Sequence, residues 1–259
     1  IRRNGSSSKK IEDYISVNIG RHGQLLFNDG RHRLTFCKIL KISEIPIRIT
    51  VRHTKWVMFK NQISEYVQSR NGKVYAPIDH IDLQNIPSGY GHLRFDLIRK
   101  NMMAQPPGNL LDIGAHWGYF CNRFEELGFN CLAVENHPEN LFFLKKIKIA
   151  EDRQYSLYDD NLFTLDIKNR HFDIVLALSV FHHFTKFENT YHKLVRFLNN
   201  LKVKEMFFEP PDPNEPRMQS AYKNFTANKF AEFIINNSCL QSYSQIGLAE
   251  DGRMLYKII

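Results

Sequence analysis

The sequence has few cysteines and lacks a long apolar run. Its four cysteines are scattered over 259 residues, with no C-x-x-C pair and no regular framework. We therefore expect reduced, buried thiols, as is usual in cytoplasmic proteins. No apolar run approaches the about 18 residues that a membrane span needs, and no signal-peptide pattern opens the chain. The chain begins at Ile1 rather than methionine, which is expected of a piece of a longer protein.

Positive charge is concentrated in the first third of the chain. Up to His80 there are 15 Lys and Arg against 6 Asp and Glu, whereas the remainder has 20 against 21. This imbalance suggests an anionic partner, such as a phosphate group or a nucleic acid, next to a neutral domain. The alternative is a basic surface that is merely solvated.

Residues 110–120 form the stretch around which the rest of the chain is arranged. An apolar run ends in Asp112, passes through Gly114 and Gly118, and enters a segment with helical spacing. This pattern predicts a buried parallel strand that leads through a tight turn into a helix. His116 stands where the dinucleotide fingerprint requires a second glycine, so the spacing D-x-G-x-x-x-G argues against a pyrophosphate ligand.

Two further apolar segments follow in the order expected of an α/β sheet. Residues 131–135 predict a second strand ending in Glu135, about 20 residues beyond the glycine turn, where a carboxylate can bind a ribose diol. Residues 172–179 predict another buried strand, which is followed by Phe181-His182-His183-Phe184. Residues 240–246 and 253–258 predict a terminal antiparallel hairpin with its turn at Glu250-Asp251-Gly252.

From about Tyr90 to the C-terminus, these motifs resemble the class I S-adenosylmethionine-dependent methyltransferases. The resemblance implies an α/β, Rossmann-like sheet of seven strands with a C-terminal antiparallel hairpin, and S-adenosylmethionine as the cofactor. It also implies that Tyr90 and Arg94 meet the carboxylate of the cofactor and that Asp159 or Asp160 lies near the adenine. The full set of implied cofactor residues is Tyr90, Arg94, Asp112, Gly114, Ala115, His116, Gly118, Glu135, Asn136, Asp159, Asp160 and Ala177.

His182 and His183 are the candidate catalytic residues. Methyl transfer from a sulfonium is an in-line displacement, so the enzyme mainly aligns the reactants and removes a proton from the acceptor. An imidazole at the exit of the fourth strand can serve as that base, and adjacent residues point different ways, so at most one should face the methyl group. The alternative is that both histidines pack between Phe181 and Phe184. No set of ligands with metal-binding spacing is evident, so we expect no metal.

A proline-rich segment, residues 209–216, begins at Glu209. It looks like the Asp/Asn-Pro-Pro signature of amino-methylating nucleic-acid enzymes, but it follows the fifth strand rather than the fourth. It therefore does not indicate base methylation. We expect this loop either to shape the acceptor pocket, with Glu209 in its wall, or simply to pack.

The first third of the chain predicts a separate small α+β domain. Strands at 15–19 and 24–27, a helix at 31–40 with Asp29 as its N-cap, a strand at 45–51 and a helix at 55–68 follow one another. This order, with a Gly-Arg-His-Arg sequence at the first helix, resembles the ParB/sulfiredoxin-like fold. The resemblance implies phosphate binding at Gly30, Arg31, His32 and Arg33; the alternative is that these side chains are solvated or pair with nearby acids.

The domain organisation expected from these patterns has four parts: a flexible lead-in at 1–10, the basic domain at 11–70, a linker at 71–88 and the methyltransferase domain at 89–259. Two function classes remain. The first is methyl transfer to an unidentified acceptor, a small molecule or a nucleic acid, with the basic domain binding a nucleotide, a nucleic acid or the acceptor itself, and with no membrane partner. The second is a nucleotide- or nucleic-acid-binding protein with an inactive methyltransferase fold. The intact Asp112, Gly114, Gly118 and Glu135 favour the first.

Overall fold

The computed structural model describes residues 14–259, so the predicted lead-in lies outside the described residues. The chain forms two compact units. The smaller contains the described residues up to Gly72 together with Ile149–Asp152, and the larger contains Lys73–Lys148 and Arg153–Ile259. No helix within residues 14–259 is long and apolar enough to cross a membrane.

The smaller unit is built on a three-stranded sheet. Its elements are β1 (Ile15–Ile19), β2 (Leu25–Asp29), α1 (Arg31–Ile39), β3 (Ile47–Arg52) and α2 (Thr54–Ser69). β1 lies in the centre, antiparallel to β2 and parallel to β3. Ile15, Val17 and Ile19 are buried, because alternate residues of a strand point to the same face. The order of elements agrees with the sequence prediction, whereas the ParB/sulfiredoxin-like identity stays a prediction.

The start of α1 differs from the prediction. Asp29 was predicted as the N-cap, but Asp29 ends β2 and the N-cap is Gly30, whose φ is 101°. A left-handed backbone is accessible to glycine at little cost, so Gly30 turns the chain from the strand into the helix. The Asp29 carboxylate instead lies 3.7 Å from the Arg33 guanidinium.

The larger unit is built on a seven-stranded sheet, as the sequence predicts. Its strands are β4 (Asn109–Ile113), β5 (Asn130–Val134), β6 (Ser156–Tyr158), β7 (Phe172–Leu178), β8 (Val203–Glu209), β9 (Tyr243–Leu248) and β10 (Met254–Ile258). They lie in the order β6-β5-β4-β7-β8-β10-β9. All pairings are parallel except those of β10, which runs antiparallel to both β8 and β9 and so completes the predicted hairpin.

Helices accompany this sheet, and apolar side chains fill the core on both of its faces. The helices are α3 (Leu93–Asn101), α4 (Tyr119–Glu126), α5 (Pro138–Ala150), α6 (Phe181–Thr185), α7 (Glu188–Asn200) and α8 (Ala227–Asn236). Adjacent strand residues enter different cores: Leu111 and Val175 belong to one, and Leu110 and Leu176 to the other. Burial of both faces explains why the central strands read as continuous apolar runs.

The segment between the predicted domains is packed rather than extended. Val74, Ile78 and Leu83 are buried, and Val74 forms a parallel bridge with Ser88. Residues 73–88 are therefore partly buried and belong to the larger unit rather than forming an extended linker.

The strand order creates a place for a ligand. The chain builds outward from β4 through β5 to β6, and then resumes on the other side of β4 with β7. Loops leaving the carboxyl ends of β4 and β7 diverge at this switch point, which is where open α/β sheets bind ligands.

Candidate active site

A cleft of about 540 Å³ lies at the carboxyl edge of β4 and β7, entirely within the larger unit. Loops after three strands contribute to it, together with residues 75–78 and two arginines. The lining residues that bear on function are Tyr75, Tyr90, Asp112, Gly114, Ala115, His116, Glu135, Asn136, Ser179, Val180, His183, Arg217 and Arg253. Of the predicted cofactor residues, the cleft thus brings together Tyr90, Asp112, Gly114, Ala115, His116, Glu135 and Asn136.

The glycine turn after β4 has two glycines with different tasks. Gly114 has a φ of 74°, and a Cβ there would lie 3.0 Å from Val180 Cγ2. Both residues line the cleft, so a side chain at Gly114 would narrow it. Gly118 has a φ of 86° and is the N-cap of α4; a Cβ there would clash with the Tyr155 hydroxyl. Gly118 therefore serves the packing of α4 and does not line the cleft.

Glu135 connects the loop after β5 to the glycine turn. Its Oε2 accepts a hydrogen bond from His116 N at 2.9 Å, and its Oε1 accepts from Asn136 N at 3.0 Å and His137 N at 2.8 Å. Three backbone donors thus orient the carboxylate, which is almost buried and lines the cleft. A carboxylate oxygen can accept two hydrogen bonds, and in the described part of the chain Oε2 accepts only the one from His116 N, so Oε2 keeps capacity for a ligand.

Asp112, the penultimate residue of β4, carries a strongly perturbed carboxyl group. Burial raises the pKa of Asp112 to about 7, the Cys121 thiol opposes this shift, and the nearby Glu135 charge adds to it. Cys121 Sγ donates to Asp112 Oδ2 at 3.6 Å. At neutral pH this carboxyl therefore exchanges between a donor and an acceptor of hydrogen bonds.

Five predicted cofactor residues lie outside the cleft lining: Gly118, described above, Arg94, described below, and Asp159, Asp160 and Ala177. Asp159 pairs with Lys145 at 2.7 Å on the surface, and that hydrogen bond lowers the pKa of Asp159. Asp160 accepts from Asn161 N at 2.6 Å and from Thr164 Oγ1 at 3.3 Å, so its carboxylate is engaged by the turn that follows. Ala177 is fully buried within β7. The prediction of an adenine contact at Asp159 or Asp160 thus finds no support in their positions.

Arg94 is buried rather than presented to the cleft. It is 2% exposed and donates to Glu209 Oε1 at 2.6 Å and to the Tyr75 hydroxyl at 2.8 Å. Its guanidinium lies 3.7 Å from the centre of the Tyr90 ring. Arg94 therefore supports the two tyrosines that line the cleft from behind.

Glu209 and Ser179, at the ends of β8 and β7, form a buried polar centre. Glu209 is fully buried and accepts a hydrogen bond from Ser179 Oγ. Burial raises the pKa of Glu209, against the effect of Arg94. Ser179 has a φ of 52°, a conformation rare for a residue with a side chain.

Arg253, the residue before β10, completes this centre. It donates to Ser179 Oγ at 3.0 Å and to Glu215 Oε1 at 2.8 Å. The sequence patterns did not predict Ser179, Arg217 and Arg253 as site residues. Arg253 could have been predicted, because the second strand of an antiparallel terminal hairpin must begin at the carboxyl edge of the parallel strands.

The two histidines lie on the short helix α6 and differ sharply. His182 is 1% exposed, and neither ring nitrogen has a hydrogen-bond partner among the described residues. Burial, reinforced by His183, lowers the pKa of His182 to about 2. His183 lines the cleft, and partial burial together with Lys186 and Arg217 lowers its pKa. One histidine faces the cleft and the other packs beneath it, with ring centres 4.1 Å apart.

The predicted phosphate-binding residues belong to the smaller unit. Gly30, Arg31, His32 and Arg33 occupy the N-cap and first turn of α1, which has no acidic residue in that turn. Arg33 is paired with Asp29, as described above. Within residues 14–259, no group of three or more His, Cys, Asp and Glu side chains could hold a metal ion.

Comparisons with known proteins agree with this geometry. Residues 111–201 match a family model described as a methyltransferase domain. The structure of the bifunctional kinase-methyltransferase WbdD superposes with a TM-score of 0.59 at 18% identity, covering 75% of this chain and 45% of WbdD. The PH0226 protein from Pyrococcus horikoshii OT3 superposes with a TM-score of 0.52 at 15% identity, covering 75% of this chain and 97% of that protein.

The chain thus spans less than half the length of WbdD. No curated protein sequence matches the chain. The matched segment contains the glycine turn, Glu135 and both histidines, that is, β4 to α7. The superpositions show a Rossmann-like fold with a seven-stranded sheet, and the family match places a methyltransferase domain within it.

Proposed function

We propose that the protein is an S-adenosylmethionine-dependent methyltransferase. The observation that carries this proposal is the convergence of Asp112, the Gly114 turn and Glu135 on one cleft at the switch point of the sheet. The match of residues 111–201 to a methyltransferase domain supports it.

The residues of the cleft fit the cofactor. A volume of about 540 Å³ lies within the range of small-molecule sites and leaves room for an acceptor beside a nucleoside. Glu135 has its carboxylate fixed by backbone donors and can accept from ribose hydroxyls. Gly114 keeps the wall open where a Cβ would intrude. The lining residues after β4 and β5 include no Lys or Arg, which fits a cofactor without a pyrophosphate.

Methyl transfer requires the protein mainly to align the cofactor with the acceptor and to remove a proton from the acceptor. When bound, S-adenosylmethionine supplies a methyl group on a positively charged sulfur, and the methyl group transfers by in-line displacement. Ser179, Val180 and His183 line the cleft after β7 and can orient the acceptor. His183 remains neutral at pH 7 because its pKa is lowered, so it can accept the acceptor's proton.

The catalytic assignment therefore narrows to His183. His182 does not line the cleft, and its ring nitrogens have no hydrogen-bond partner within residues 14–259, so we assign it a structural role beneath His183.

Ligand extraction and labelled methyl transfer test the proposal. Purified protein should release S-adenosylmethionine or S-adenosylhomocysteine on denaturation, detected by mass spectrometry. Incubation with labelled cofactor and fractionated small molecules or RNA should label one acceptor class. Release of NAD instead of an S-adenosyl compound would contradict the proposal.

A second role is proposed for the smaller unit, which would bind a phosphate-bearing ligand at Gly30, Arg31, His32 and Arg33. Residues 14–72 carry ten Lys and Arg against three Asp and Glu, which favours an anionic ligand. If the methyltransferase site proves inactive, the protein would be a nucleotide- or nucleic-acid-binding protein. The test is to measure the affinity of the protein for a nucleotide, RNA or DNA at low and at high salt. The affinity should fall as the salt concentration rises.

A further inference from the structure

The charged residues that line the cleft are segregated along the sheet edge. The carboxylates, Asp112 and Glu135, follow β4 and β5, whereas the cationic residues, Arg217 and Arg253, lie beyond β7. Arg253 donates to Ser179 Oγ directly after β7, so its guanidinium lies two strand spacings, about 10 Å, from the end of β5. Carboxylates thus line one end of the cleft and guanidinium groups line the other, cationic end.

Arg253 is held rigidly at the cationic end. Its three nitrogens are engaged by Ser179 Oγ, by Glu215 Oε1 and, at 3.3 Å, by Asp251 Oδ2. A guanidinium fixed in this way loses little rotamer entropy on binding a ligand.

Arg217 has free donors at the same end. Its Nε pairs with Glu215, and its two terminal nitrogens have no hydrogen-bond partner among the described residues. The side chain is 41% exposed, so its terminal nitrogens remain accessible to a ligand.

The acids near these arginines do not line the cleft. Glu209 is fully buried and engaged by Arg94 and Ser179, while Glu215 bridges Arg217 and Arg253 from outside the cleft lining. Asp251 pairs with Arg253 and accepts from the Tyr90 hydroxyl. Glu209 also lies 3.7 Å from Arg253 Nη1. The three acids therefore orient the guanidinium groups, and of these charged groups only the guanidinium groups line this end of the cleft.

We propose that the methyl acceptor carries an anionic group, a carboxylate or a phosphate, which Arg217 and Arg253 bind beside His183. This inference rests on the proposed methyltransferase function and adds the class of its acceptor. Planar guanidinium groups suit both anions, because two parallel N–H donors match two oxygens. A compact acceptor fits better than a nucleic-acid strand, since only these two arginines line the cleft.

Anion titration by NMR tests the inference directly. Protein saturated with S-adenosylhomocysteine is titrated with inorganic phosphate in one arm and with acetate in the other. We expect one of the two anions to shift the amide signals of Ser179 and Arg253 saturably, and the arm that does so identifies the acceptor group.

Variants then separate the acceptor site from the cofactor site. Arg217→Gln should lower anion affinity about tenfold, by loss of charge-assisted hydrogen bonds, while S-adenosylhomocysteine affinity stays unchanged. Arg253→Gln should act alike, but it could disturb folding, so Arg217→Gln is the decisive variant. Arg99→Gln, at an exposed arginine of α3 outside the cleft, is the matched control.

Three results overturn the inference: no saturable shift with either anion, equal anion affinity in Arg217→Gln and wild type, or loss of S-adenosylhomocysteine rather than anion binding in Arg217→Gln. The last result would assign the arginine to the carboxylate of the cofactor. Failure of wild type to bind S-adenosylhomocysteine would instead contradict the proposed function, and anion titration of the free protein would still test the cationic end.

Discussion

The raised pKa of Asp112 makes the free energy of unfolding depend on pH. Its pKa of about 7 lies above that of an exposed aspartate, because the folded state favours the protonated form. The folded state is therefore penalised progressively as pH rises from the unfolded pKa toward 7, at about 1.4 kcal/mol per pKa unit.

Asp112→Asn should consequently stabilise the protein more at about pH 8 than at about pH 5. Thermal unfolding of both proteins at the two pH values measures this difference. Asp96→Asn, at an exposed aspartate of α3, is the matched control for the same chemical change outside the cleft. A stability difference independent of pH would contradict the raised pKa.

His183 and His182 should separate in function. His183→Gln should lower turnover by about 10²–10⁴-fold with cofactor affinity unchanged, as expected for loss of a general base. His182→Gln should lower the melting temperature, because it disturbs a buried ring beneath the site. His192→Gln, at an exposed histidine of α7, should change neither quantity.

The pH dependence of the rate gives an independent reading of His183. Since its folded pKa is lowered, the acid limb of the rate profile should lie below the usual imidazole pKa of about 6.5. His183 then becomes protonated, and stops acting as a base, only in more acidic solution. An acid limb above that value would be inconsistent with the assignment.

At the scale of elements, the glycine turn and α4 depend on two glycines for different reasons. A residue with a side chain in the left-handed conformation costs about 1 kcal/mol of stability. Gly118→Ala should cost more than this, because the added Cβ also clashes with Tyr155. Gly252→Ala is the matched control, since Gly252 has a φ of 80° with nothing within 4 Å of its Cβ position. Chemical denaturation should show the larger loss for Gly118→Ala, and equal losses would show that the clash is relieved.

The strands of the sheet could be predicted because both of its faces are buried, so the strands consist of consecutive apolar residues. β4, β5, β7 and the terminal hairpin follow the predicted order. The N-cap of α1 was predicted wrongly because a polar Asp29 next to a glycine fits two roles, and only the φ of Gly30 decides between them. The short helix α6 was not predicted, since its five residues are too few to show a helical period.

The buried centre behind the cleft could not be read from the sequence for a physical reason. Arg94, Glu209 and Arg253 lie on three separate elements, and their pairing depends on how α3, β8 and β10 meet in space. Local patterns cannot distinguish a buried arginine of this kind from an exposed one. Asp159 is the opposite example. It follows β6, where the resemblance implied a residue of the cleft, but its carboxylate pairs with Lys145 outside the cleft.

At the scale of the whole molecule, the two units should bind different ligands. The smaller unit should bind a nucleotide, RNA or DNA at low salt, with affinity falling as salt rises. Combined Arg31→Ala and Arg33→Ala substitution should remove much of this binding, while Lys193→Ala on α7 should not. Fluorescence anisotropy with labelled probes measures it. Absence of binding by every probe at low salt would leave the unit as a scaffold or a protein-contact domain.

Calorimetric titration with S-adenosylhomocysteine tests the central claim most directly. The cleft assignment predicts saturable binding to wild type, and a loss of about 1–3 kcal/mol in Glu135→Ala through missing charge-assisted hydrogen bonds. Asp159→Ala, whose carboxylate is paired with Lys145 outside the cleft, should bind as wild type does. Absence of binding to wild type, or tight binding of NAD in its place, would contradict the account.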